Sequence, residues 1–138
     1  MKRVHLNDLD IDEGHVHRHE GSLFTGVGEE RGPNGRVREE ITFVDGMEHG
    51  PSRLFNSAGA LLSECTLHNG SAHGTSREWD ELGRLRKEVI HQHGVVISRR
   101  DWNENGDVTS TFQRPAGDAQ WELARARELA SVDPPKDS

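Results

Sequence analysis

Cysteine is nearly missing from this chain, tyrosine is wholly missing, and no long apolar run occurs. Cys65 is the only cysteine, which excludes an internal disulfide and points to a reducing compartment. With 5% aromatic and 31% hydrophobic residues in 138, there is little material for a deep two-layer core. No stretch approaches the roughly 20 apolar residues of a membrane-spanning helix. The start, "MKRVHLNDLDIDEG", carries positive charge but no apolar segment, so no signal peptide is expected and the expected location is cytoplasmic. Positive charge is also short: 17 Lys and Arg stand against 24 Asp and Glu, a net charge of -7. That balance argues against nucleic acid and anionic membrane as partners. Phosphate-loop, dinucleotide, nucleophile-elbow and paired-carboxylate signatures are all missing, so neither an enzyme nor a bound cofactor is expected.

Glycine is plentiful and periodic. Gly35, Gly59, Gly83 and Gly106 are spaced 24, 24 and 23; Gly46, Gly70 and Gly94 are spaced 24 and 24; Gly26, Gly50 and Gly74 are again 24 apart. Glu40, Glu64 and Glu88 keep the same phase, as do Phe55, Trp79 and Trp102 apart from a one-residue slip in the last unit. Self-similarity at a fixed period is the mark of a repeat architecture. Within each unit apolar residues sit at even separations: Val37, Ile41 and Phe43, then Leu61, Cys65 and Leu67, then Leu85 and Val89 with His91. In an extended strand these share one face. Asn34-Gly35, Asp45-Gly46, Asn69-Gly70 and Asn105-Gly106 predict tight hairpin turns, because primed turns need positive φ. Two turns per 24 residues make each unit a β-hairpin. One hairpin is marginal alone, so successive hairpins must stabilise one another.

The expected fold is therefore all-β: an antiparallel meander of hairpin repeats forming an elongated twisted sheet over residues 1–115, with a degenerate first unit at 1–26. The segment 116–132 predicts one C-terminal capping helix, with Asp118 as N-cap. Trp121, Leu123, Ala124 and Leu129 are expected to pack over the last strand and cover its edge. Residues 133–138 read as a disordered tail.

The pattern aromatic-Asn/Asp-x-x-Gly-x-Leu-x-x-Glu, as in "WDELGRLRKE", followed downstream by a His-Gly pair, resembles the variant MORN repeat over residues 16–112. Such repeats are typical of a bacterial family of antitoxin or immunity partners of secreted polymorphic toxins. The resemblance implies a small protein that binds a cognate toxin domain and blocks it without catalysis. An acidic surface suits a toxin whose active-site cleft is basic. The alternatives are a structural MORN-type scaffold or interaction module and, further off, a His-rich metal enzyme.

Candidate side chains follow from these readings. Trp79 and Trp102 are large anchors of the kind interfaces favour, though they also serve as core in a poor apolar supply. Glu78, Asp80, Asp101 and Glu104 lie beside that aromatic column and are the expected partner-binding acids. Arg53, Arg77 and Arg100 share the aromatic face and either stack on the rings or pair with acids. The acids Glu40, Glu64 and Glu88 need counter-charges, for which Arg36, Arg38, Arg84 and Arg86 are nearby. His15, His17 and His19 would share one face of a strand and form the only metal-binding candidate; the plainer reading is a polar outer face. His49 and His73 recur with the period and read as contacts to neighbouring turns. Open edges at both ends of the sheet allow a monomer or a weak homodimer.

Overall fold

A computed structural model describes residues 2–131, with side chains to 127. Thirteen strands run in chain order: β1 (Arg3–His5), β2 (Asp10–Ile11), β3 (His17–His19), β4 (Ser22–Leu23), β5 (Gly26–Arg31), β6 (Val37–Val44), β7 (Met47–Phe55), β8 (Leu61–His68), β9 (Ser71–Ala72), β10 (Gly74–Trp79), β11 (Leu85–Gln92), β12 (Val95–Trp102) and β13 (Val108–Gln113). One helix, α1 (Ala119–Ser131), follows. The main sheet has the order β1-β5-β6-β7-β8-β10-β11-β12-β13, with β9 pairing β8, and β2-β3-β4 form a separate small sheet. The open meander of hairpins is as the periodicity predicts. The sheet is mixed rather than wholly antiparallel: β1 pairs β5 in parallel, with Val4 opposite Gly28. Between β1 and β5 the chain runs through the small β2-β3-β4 sheet, so no single tight turn joins the two strands as neighbours in a hairpin.

Two turn types alternate along the array. At Asp45-Gly46, Asn69-Gly70 and His93-Gly94 both residues have positive φ, between 47° and 85°, which makes the primed two-residue turn. The other turns differ from expectation. At Asn56, Asp80 and Asn103 one side-chain oxygen accepts two backbone N–H bonds, from the residues two and four further on. The glycine three residues later closes the loop by bonding back to the same residue's carbonyl, so only that glycine needs positive φ. Asn105-Gly106 belongs to this wider loop, and Asn34-Gly35 shares its backbone closure, with Gly35 N–H bonding back to the Gly32 carbonyl but no side chain at Gly32 to accept; a dipeptide signal cannot distinguish either from the primed turn.

The same loop exposes the hidden first unit. Gly14 and Val16 donate to Asp12 Oδ1, and His15 N–H closes onto the Asp12 carbonyl at 3.0 Å. His15 thus takes the place glycine holds elsewhere, with φ 60°. The one-residue slip in the last unit also has a cause. Pairing shifts by two residues between Ile41↔Ser52 and Phe43↔Glu48, where Gly50 kinks the strand, but by only one between Ile90↔Ser98 and His91↔Val96. Where Ile97 and Ser98 replace the His-Gly pair, the bulge is one residue shorter.

Among the described residues the one multi-residue core lies at the N-terminal end. Leu9, Phe24 and Phe43 are buried together, with Val4, Leu6 and Ile41 against them. The β3–β4 hairpin seats on the Asp45-Gly46 turn: His17 N–H donates to the Gly46 carbonyl and Gly46 N–H to the Phe24 carbonyl. A Cβ at Gly46 would come within 2.5 Å of Val16 and 2.8 Å of the His17 carbonyl. Beyond this cap the sheet is a single layer. Asp118 caps α1 through Trp121 N–H at 3.1 Å, as expected, but the helix does not cover the last strand. Its principal contact is with β12, Trp121 lies beside His93, Leu123 is exposed, and all of β13 is exposed. Leu129 and the tail 133–138 fall outside the described side chains.

Candidate partner-binding surface

Cross-strand register sorts the side chains into two faces, since neighbours in a strand point to opposite sides. Glu29, Glu40, Arg53, Glu64, Arg77, Glu88, Arg100 and Thr111 stand opposite one another from β5 to β13 and form a single column. The acids of this column are met by the arginines of its neighbouring strands. Arg53 bonds Glu64 at 2.6 Å and Arg77 bonds Glu88 at 2.9 Å. At the N-terminal end Arg3 on β1 bonds both Glu29 (3.0 Å) and Glu40 (2.6 Å). Burial pushes the Glu29 carboxyl up, but its bonds to Arg31 and Arg3 outweigh that and hold it below the usual range.

The expected counter-charges for this ladder are therefore corrected. Arg36, Arg38 and Arg86 donate to the carbonyls of Ala58, Phe55 and Trp102, and Arg84 bonds Asp80 and the Glu104 carbonyl. These arginines tie each loop to the next, while the ladder is balanced from within. Phe55, Trp79 and Trp102 end their strands next to a bulge, opposite Leu61, Leu85 and Val108. All three aromatics are half-buried.

On the other face lies a groove of about 290 Å³ between β10 and β12, lined by Ser76, Glu78, Lys87, Val89, His91, Val96 and Arg99. Val89 forms its buried floor at 8% exposure. Its rim is charged: Lys87 lies 3.9 Å from Glu78, and Arg99 bonds Asp101 at 2.9 Å. The Arg99 guanidinium holds the Asp101 carboxyl below its usual range. Burial lowers His91, and its Nδ1 is buried without a hydrogen-bond partner among the described residues.

The six expected partner-binding residues are thus split. Glu78 and Asp101 flank Lys87 on the groove face. Trp79 and Trp102 belong to the opposite face. Asp80 is consumed by its own loop, where it accepts from Leu82, Arg84 and the Arg84 side chain. Glu104 is exposed in the next loop. Spacing in sequence placed all six side by side; the two-fold alternation of strands separates them.

The histidines likewise do not converge. His15 sits in the loop, His17 packs on Phe43 at 4.7 Å between ring centroids, and His19 packs on Phe24 and accepts from Lys2. Among the described residues no group of three or more His, Cys, Asp or Glu is placed to hold a metal ion. His49 accepts from Asn69 N–H in the next turn, and His73 lies beside His93 in the turn after that, as their periodicity predicts. Cys65 is half-buried and burial pushes its thiol up.

No protein-family model matches the chain, and no curated protein matches it significantly in sequence. Among solved structures it is similar to TarM, at 14% identity and TM-score 0.42 over 78% of this chain. It is also similar to the accessory secretory proteins 1, 2 and 3 of Streptococcus pneumoniae, at 11% identity and TM-score 0.39 over 80% of this chain. The chain spans 20% of the length of each of those chains. Likenesses of this degree carry no argument about its role. No helix of the described residues is long and apolar enough to cross a membrane.

Proposed function

We propose that this chain is a protein-binding module of the immunity type, which neutralises a cognate bacterial toxin in the cytoplasm by gripping it with the C-terminal half of its sheet. The observation that carries this reading is the single-layer architecture. Past the cap on Phe43, β8 to β13 present two faces of largely half-exposed side chains, against which only α1 packs, at β12, among the described residues. A sheet held by paired turns loses little freedom on binding, which favours tight association. The groove between β10 and β12 supplies an apolar floor with a charged rim, the arrangement of a protein interface. The resemblance of its units to variant MORN repeats supports a toxin as that partner, and the net charge of -7 suits a basic cleft.

The test is a search of the neighbouring genes for a secreted protein with a C-terminal toxin domain, followed by co-expression with that domain. Growth is expected to be restored by the wild-type chain and impaired for Glu78→Ala/Asp101→Ala/Glu104→Ala, which leaves the loop-forming Asp80 in place. Failure of the wild-type chain to restore growth refutes the reading.

A further inference from the structure

The two ends of the charge ladder are built differently. At the N-terminal end the extra strand β1 closes the edge of β5 and carries Arg3. That side chain crosses β5 to reach Glu40 on β6, two strands away, at 2.6 Å. A short added strand thus completes both the backbone pairing and the charge balance. Among the described residues the C-terminal end has neither. Glu88 is bonded to Arg77, and Thr111 occupies the next place in the column. Arg100, exposed between them, makes no ion pair or hydrogen bond to any side chain among the described residues.

Among the described residues no strand pairs with the outer side of β13. Arg114 N–H reaches the Ile97 carbonyl at 2.7 Å, so that pair bonds inward, toward β12. By alternation Phe112 and Ser110 also bond inward, while the N–H and C=O of Thr111 and Gln113 point away from the sheet. No lysine, proline or inward-pointing charge guards the strand "VTSTFQ", although such devices are the usual protection of an edge. Pro115 and Gly117 come where the meander would otherwise return, with Gly117 at φ 78°, and the chain leaves for α1.

We infer that the outer edge of β13 takes an extended segment of another protein as an additional strand, with an Asp or Glu beside Thr111 that pairs with Arg100. Strand addition supplies affinity through main-chain bonds, and the column supplies selectivity through one charge. Thr111 is short, so Arg100 reaches across it as Arg3 reaches across β5. Nothing here requires the segment to come from a toxin, so failure of the co-expression assay leaves this edge untouched.

The probe is a phage-displayed library of random peptides selected on the full chain. Selected peptides are expected to share one Asp or Glu among β-branched residues. Thr111→Pro deletes an outward N–H without touching the β12 ladder, and it should weaken the synthetic winners by about tenfold or more. Arg100→Glu should lose the acidic winners and select Lys or Arg at the same place. If Thr111→Pro does not fold by circular dichroism, the surface change Arg100→Glu decides alone. Selection of no peptide, or winners that bind Arg100→Glu as tightly as wild type, overturns the inference. So does a dimer in sedimentation that Thr111→Pro returns to monomer, since the edge would then belong to a second copy.

Discussion

Single residues differ in this fold by what they touch, even where the repeat makes them look equivalent. Gly46 and Gly94 hold the same place in the same primed turn, with φ 84° and 75°. A Cβ at Gly94 meets nothing within 4 Å, whereas at Gly46 it strikes Val16, the His17 carbonyl and Leu23. Gly94→Ala is expected to cost about 1 kcal/mol for the left-handed backbone alone, and Gly46→Ala about 2–4 kcal/mol because the cap must also shift. Equal losses in urea unfolding would show that the cap does not seat on that turn. Glu39 makes a different case. It lies opposite Glu30 on the face away from the ladder, and burial first, then Glu30 and Glu48, raise its carboxyl above the usual 4.5. A raised acid destabilises when ionised, so the penalty is present above its folded value and vanishes as pH falls below 4.5. Glu39→Gln should therefore add about 0.5 kcal/mol at pH 7 and nothing near pH 4. A loss at pH 7 would contradict this reading.

At the scale of the element, the sequence displayed the strands and the primed turns at Asp45-Gly46 and Asn69-Gly70 but hid the wider loops. Period-two alternation depends only on which residues are apolar, so the paths of β6, β8 and β11 were legible. The wider loops were not, because Asn105-Gly106 has the same letters in either turn and only the bonds to Asn103 distinguish them. Asp12 and His15 escaped for the same reason: His replaces the marker glycine, and its neighbours suggested metal chemistry instead. The loops now carry a prediction. Asn56→Ala removes two backbone bonds at 2.9 Å and should cost about 1–2 kcal/mol, with Asn56→Asp close to neutral. The split of Glu78 and Asp101 from Trp79 and Trp102 was readable in principle, since adjacent strand residues point to opposite faces. The helix was placed correctly by its Asp118 cap, while its docking beside His93 and β12 depends on tertiary contacts that no local pattern encodes.

Across the whole molecule, the buried cluster and the proposed binding surface are segregated. The buried cluster around Phe43 anchors the first units, where Phe43 is 1% exposed, and the ladder and loop bonds carry order outward to β13, which has no buried residue. Phe43→Ala should accordingly cost about 3–5 kcal/mol. Half-exposed pairs such as Arg77–Glu88 contribute no more than about 1 kcal/mol each, so they align the sheet more than they stabilise it. What the array offers is an ordered surface at a distance from its core. The most direct measurement of the proposed role is calorimetric titration of the purified chain with an inactivated toxin domain found in a neighbouring gene. The account predicts one-to-one binding with Kd below about 1 µM, weakened about tenfold at low salt by Glu78→Ala/Asp101→Ala/Glu104→Ala. No detectable binding, or binding that the triple variant leaves unchanged while a change in the N-terminal cap abolishes it, would contradict it.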